Sequence, residues 1–215
     1  MNRSECGTIT SVELSDAERL CGRENYDFYC FLIWPFIEGS WLGAVSLMGL
    51  TPPLDSRQDV WIDMRKAQDS AQLLGKTLYH QGDLSYFEAV NKETLKNAYQ
   101  RFQEEGIILV TKGKEKDSKV APSVRLAPAW TPTRDKRTGK VMDCGRLWDF
   151  TERIAKSRRE GKNRRDGATV STRVLALSDT LGRKLFNEAT TETGEDVTVS
   201  PKRLKTKPID TRAQL

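Results

Sequence analysis

His80 is the chain's only histidine, and its neighbours decide whether it can act as a base. General-base catalysis on a hydroxyl needs a carboxylate placed to orient the imidazole. In His80-Gln81-Gly82-Asp83 the acid follows too closely for a His-x-x-x-x-Asp arrangement, and the residue five positions on is Ser85. His80 therefore reads as an ordinary connector residue. The four cysteines, Cys6, Cys21, Cys30 and Cys144, are widely spaced, with no CxxC pair and no histidine cluster beside them. Neither a zinc site nor a disulfide framework follows from them, and a reducing compartment is the default. No catalytic, substrate-binding or metal-ligating residue is assigned, and no cofactor is expected.

The remaining chemical oddity is Glu38, the only charged residue between Phe28 and Leu50. As a helix this run would be roughly 35 Å long, against about 30 Å for a bilayer core. Pro35 and the Glu38-Gly39-Ser40 step would kink or divide such a helix and put a carboxylate near the bilayer centre. The first reading is a broken helix buried in a larger enzyme core, ahead of an interfacial membrane segment and then a true span. Phe31, Trp34, Phe36, Trp41 and Leu42 are the residues expected to pack against a membrane or a neighbouring domain. The two indoles would suit a headgroup region as well as a core.

The elements around this run follow from periodicity. Ser56 to Leu78 carries Val60, Trp61, Met64, Ala67, Ala71 and Leu74 at the spacing of a one-faced helix, with Asp55 or Ser56 as cap and Gly75 as end. Lys76 to His80 then reads as extended. A second helix is expected over Lys92–Glu105, capped by Asn91, with Leu95, Ala98, Tyr99 and Phe102 on one face and Gly106 just past its end. Ser85–Val90 reads as a further helical turn, and Ile107–Val110 with Ser123–Leu126 as a hairpin. The expected fold class is mainly α with a small β-hairpin, followed by a long disordered basic tail.

Composition supports that division. Apolar residues are 37% of the chain and charged residues 30%, so a substantial part should not pack. We divide the chain into 1–25, a remnant or linker without an apolar signal core; 26–127, the ordered domain; and 128–215, a mostly disordered basic tail with one helix near 145–160. The net charge of +5 favours anionic surfaces without choosing among them.

The ordered part resembles the C-terminal domain of the glycerol-3-phosphate/dihydroxyacetone-phosphate acyltransferase family. Three stretches carry the resemblance: Phe31-Leu32-Ile33-Trp34-Pro35-Phe36-Ile37-Glu38-Gly39-Ser40-Trp41, then Gly75-Lys76-Thr77-Leu78-Tyr79-His80, then Ser85 through Leu95-Lys96-Asn97-Ala98 to Phe102, Gly106 and Ile107. The second is similar to a short extended connection. The resemblance implies O-acylation of a three-carbon phosphate in glycerophospholipid biosynthesis, by a His-x-x-x-x-Asp pair in an upstream domain that this chain lacks. Phe36-Ile37-Glu38-Gly39-Ser40-Trp41 is also similar to the family's Phe-Pro-Glu-Gly-x-Arg phosphate block. With Trp41 where Arg should stand, that likeness is read as coincidence.

The resemblance therefore implies a non-catalytic portion that packs on an acyltransferase catalytic domain, in cis or in trans, and on a membrane surface. Acyl-CoA would be met only through the absent domain. The chain reads as a fragment or mispredicted gene product, ahead of a separate subunit. Mitochondrial outer membrane, peroxisome and endoplasmic reticulum all remain open, and the terminal Arg-Ala-Gln-Leu does not match a Ser-Lys-Leu signal.

Two rivals are weighed. Helix, helix and hairpin, with Lys112, Lys114, Lys116 and Lys119 in the turn, would also suit a winged-helix-like nucleic-acid-binding module. The mixed charge of Lys92–Glu105 speaks against it, and nucleic acid is not the expected partner. Arg158, Arg159, Lys162, Arg164 and Arg165 could touch an anionic lipid surface, although a solvated tail is the preferred reading.

Overall fold

A computed structural model gives the architecture, describing residues 16–17, 26–56, 60–111, 122–160 and 172–192. Five α-helices have assigned bounds: α1 (Tyr26–Met48), α2 (Met64–His80), α3 (Lys92–Glu104), α4 (Arg146–Glu160) and α5 (Thr172–Glu192). Three short strands, β1 (Ile62–Asp63), β2 (Ile108–Thr111) and β3 (Ser123–Leu126), form an antiparallel sheet in the order β1-β3-β2. The expected hairpin is present, with Ile108 opposite Leu126 and Val110 opposite Val124. Its addition is β1, which pairs Ile62 with Val124.

The apolar run is not broken. One helix passes through Pro35 and the Glu38-Gly39-Ser40 step. Pro35 removes a ladder donor, but the side chains flanking it at Ile33 and Phe36 are exposed, where water can serve the freed carbonyl. The C-terminal half of α1 is the axis of the core: Trp41, Leu42, Ala44, Val45, Leu47 and Met48 are all buried. Around it pack Ala71, Leu74 and Leu78 of α2, Leu95, Tyr99 and Phe102 of α3, and Ile108 and Val124 of the sheet.

Helix α2 starts later than its periodicity implied. Val60 and Trp61 lie ahead of β1 in no helix, and the cap is Asp63, whose Oδ1 accepts from Arg65 N at 2.7 Å and Lys66 N at 3.0 Å. A strand entering a helix keeps its apolar residues inward, so the pattern could not mark the change. The helix also runs through Gly75 to His80, so neither the expected stop nor the extended piece Lys76–His80 exists. Gly75 is there for contact: a Cβ would lie 2.5 Å from Leu42 Cδ2 and 3.1 Å from Val90 Cγ1. By contrast α3 begins where expected, with Asn91 Oδ1 accepting from Glu93 N at 2.9 Å, and Gly106 beyond its end has φ +68°. Phe87–Val90 forms the expected helical turn as a 3-10 turn.

Packing does not stop at residue 127. The expected helix near 145–160 is α4, but α5 and the segment 128–145 are also folded, and Leu147, Ala155, Val174, Leu175, Leu185 and Phe186 enter the same core. The composition of the whole stretch conceals two narrow apolar stripes and several buried polar groups that are paired. Thr151 Oγ1 donates to Leu147 O at 2.7 Å and Ser178 Oγ to Val45 O at 2.8 Å. Residues 161–171 and 193–215, and with them the rest of the expected basic tail, lie outside the described residues, as does most of 1–25. No described helix is long and apolar enough to cross a membrane.

Candidate functional site

Helix α1 serves two environments. Trp41 and Leu42, expected to face a partner or membrane, are 2% and 0% exposed inside this chain's own core. Trp34 is half-buried. Phe36 is 61% exposed, and with it Leu32 and Ile33 at 53% and 56%. Phe31 lies in the helix, but its side chain is outside the described residues. Leu32, Ile33 and Phe36 thus form an outward apolar turn of a helix whose other end is fully packed. Sequence reasoning singled out only Phe36 of these three, because a run apolar on every side shows no face to prefer.

Glu38 marks the change of environment. Its carboxylate is fully buried and accepts from Ser85 N at 2.9 and 3.2 Å and from Tyr86 N at 2.9 Å. It fastens the loop before the 3-10 turn to α1 by charge-assisted bonds. The Tyr86 phenol is held above its usual range, by desolvation first and then by the charges of Glu38 and Glu88. The phosphate-block lookalike around Glu38 is therefore the interior of a helix, its carboxylate committed to backbone.

Tyr99 gives a second buried titratable group beside α1. Its hydroxyl lies 2.9 Å from Ser46 Oγ, which donates to Gly43 O at 2.6 Å. Ser46 has one proton and spends it on Gly43, so Tyr99 is the donor in the pair. Burial pushes the phenol up to about 12 from 10.0, while the Ser46 hydroxyl, able to turn toward a phenolate, pulls the other way. A folded-state value above the unfolded one means stability is fully present below pH 10 and lost as pH rises toward 12. Tyr99→Phe should cost about 1 kcal/mol at neutral pH for its hydrogen bond. It should also remove an alkaline loss of roughly 2–3 kcal/mol. The urea midpoints of the two proteins should therefore converge and cross between pH 10 and 12; parallel curves would show that Tyr99 is not what titrates.

The other residues singled out by sequence are dispersed. His80 is the exposed last residue of α2, its ring edge-on to Tyr79 at 5.8 Å. Asp83 is paired with Arg173 at the start of α5. On α3 and its cap, three cations (Lys92, Lys96, Arg101) face three carboxylates (Glu93, Glu104, Glu105), and Lys96–Glu93, Arg101–Glu104 and Arg101–Glu105 are ion pairs at 3.3 to 3.5 Å. A face neutralised in this way releases few counterions on binding a phosphate backbone. Lys112, Lys114, Lys116 and Lys119 lie outside the described residues, as do Lys162, Arg164, Arg165 and the side chains of Arg158 and Arg159.

One buried cluster had no signal in the sequence. The Arg134 side chain, 2% exposed, donates from Nε to Pro52 O at 2.7 Å, from Nη2 to Thr51 O at 2.7 Å and from Nη1 to Gly139 O at 2.8 Å. Asp179 of α5 lies 2.7 Å from Nη2 and also pairs with Arg183 at 3.2 Å. This arrangement ties α5 to the turn after α1.

A family model for the glycerol-3-phosphate acyltransferase C-terminal region matches residues 2–111. The chain belongs to this family. The match begins before the expected position 26 and ends with β2. The glycerol-3-phosphate acyltransferase C-terminal region thus contains α1, α2, α3 and the two groups that define α1's environment, Glu38 with its loop and the Leu32-Ile33-Phe36 turn. Strand β3, the Arg134 cluster, α4 and α5 pack on it from beyond the match. No curated protein and no solved structure matches the chain.

Proposed function

We propose that the chain acts as the non-catalytic C-terminal portion of a glycerol-3-phosphate or dihydroxyacetone-phosphate O-acyltransferase, with the outward turn Leu32-Ile33-Phe36 as the seat for the catalytic region. The observation that carries this is the contrast within α1: one end is the axis of the core, while the other presents adjacent large apolar side chains to solvent. A C-terminal region follows its catalytic part in chain order, and among the described residues α1 is the first long element of the match. An apolar turn there is placed for a neighbour on that side. Membrane contact, in this reading, comes through the assembled enzyme, because the second half of α1 is committed to the core.

The test is capture of the full chain by the catalytic region of a glycerol-3-phosphate acyltransferase, one carrying a His-x-x-x-x-Asp pair. Phe36→Asp, at an exposed position, should leave the fold intact and weaken capture by about tenfold or more, the effect of losing one buried aromatic anchor. Equal capture of both proteins would overturn the docking surface. Flotation with anionic liposomes that is lost in Phe36→Asp, without capture, would instead assign the turn to lipid. Acyl transfer to glycerol 3-phosphate by the chain alone would overturn the non-catalytic assignment.

A further inference from the structure

We draw no further inference here: the strongest candidate, the groove between the Pro52-Pro53 turn, β3 and the segment 128–132, has its Arg134 committed to Asp179 and to backbone carbonyls within the chain, and nothing in the structure shows what covers it.

Discussion

Arg134→Met should destabilise the folded chain by about 3–5 kcal/mol, the cost of removing one partner from a buried ion pair and leaving the other. The guanidinium donates to three backbone carbonyls, Thr51, Pro52 and Gly139, of which Gly139 also accepts from Arg183 Nη2, and it faces Asp179 across 2.7 Å. Methionine fills similar volume but supplies no donor, so the loss is electrostatic and not a cavity effect. A small domain has only about 5–15 kcal/mol in total, so the loss should be plain in a urea titration. The companion variant distinguishes causes. Arg134→Met combined with Asp179→Leu also removes the carboxylate, which would otherwise keep only the half-exposed Arg183, and should recover part of the stability lost in Arg134→Met alone. Additive costs in the double variant would show that the two groups do not act as a pair.

How far such a network was legible from sequence depends on what kind of signal each part leaves. Asn91 and the stripe Leu95, Ala98, Tyr99, Phe102 could be read because capping and helical spacing are local rules, and each of these residues does what its type prefers. The hairpin followed for the same reason. Gly75 misled because a glycine at a helix end and a glycine at a helix contact look alike until the partner, here Leu42 and Val90, is known. Asp63 was passed over as cap because the apolar pattern continued through β1.

The region after 127 was harder. Its buried groups include Arg134, Thr151, Ser178 and Asp179, residue types that enter a core only when their partners are in place. The partners of Arg134 and Ser178, namely Thr51, Pro52 and Val45, lie far earlier in the chain, and no local window joins them. The candidate docking turn was half legible: the apolar run named the helix, but only its packed neighbours separate Trp41 and Leu42, which belong to the core, from Leu32, Ile33 and Phe36, which do not. The family resemblance was carried by the elements that local rules describe best, and the match ends before the elements that long-range pairing builds.

Gly182→Ala tests that long-range half most directly, because local and tertiary physics predict opposite signs. In the middle of α5, replacing glycine by alanine should stabilise the helix by about 1 kcal/mol through propensity alone. The contact says otherwise. A Cβ at Gly182 would lie 1.9 Å from the Gly49 carbonyl oxygen and 2.5 Å from its carbon, and a Cβ at Gly49 would lie 2.7 Å from Ser178 O. These obstacles are backbone, which cannot swing aside as a side chain can, so α5 must lift from the turn after α1. Lifting it stretches the Ser178 Oγ–Val45 O hydrogen bond and the Arg134–Asp179 ion pair, which cross the same seam. We expect a net loss of about 2–3 kcal/mol, as for overpacked cores, together with weakened hydrogen-exchange protection along α5. Lys184→Ala, exposed on the same helix, should change stability by less than about 0.5 kcal/mol. A Gly182→Ala chain more stable than its parent would mean that α5 is held by its own helicity and does not rest on Gly49.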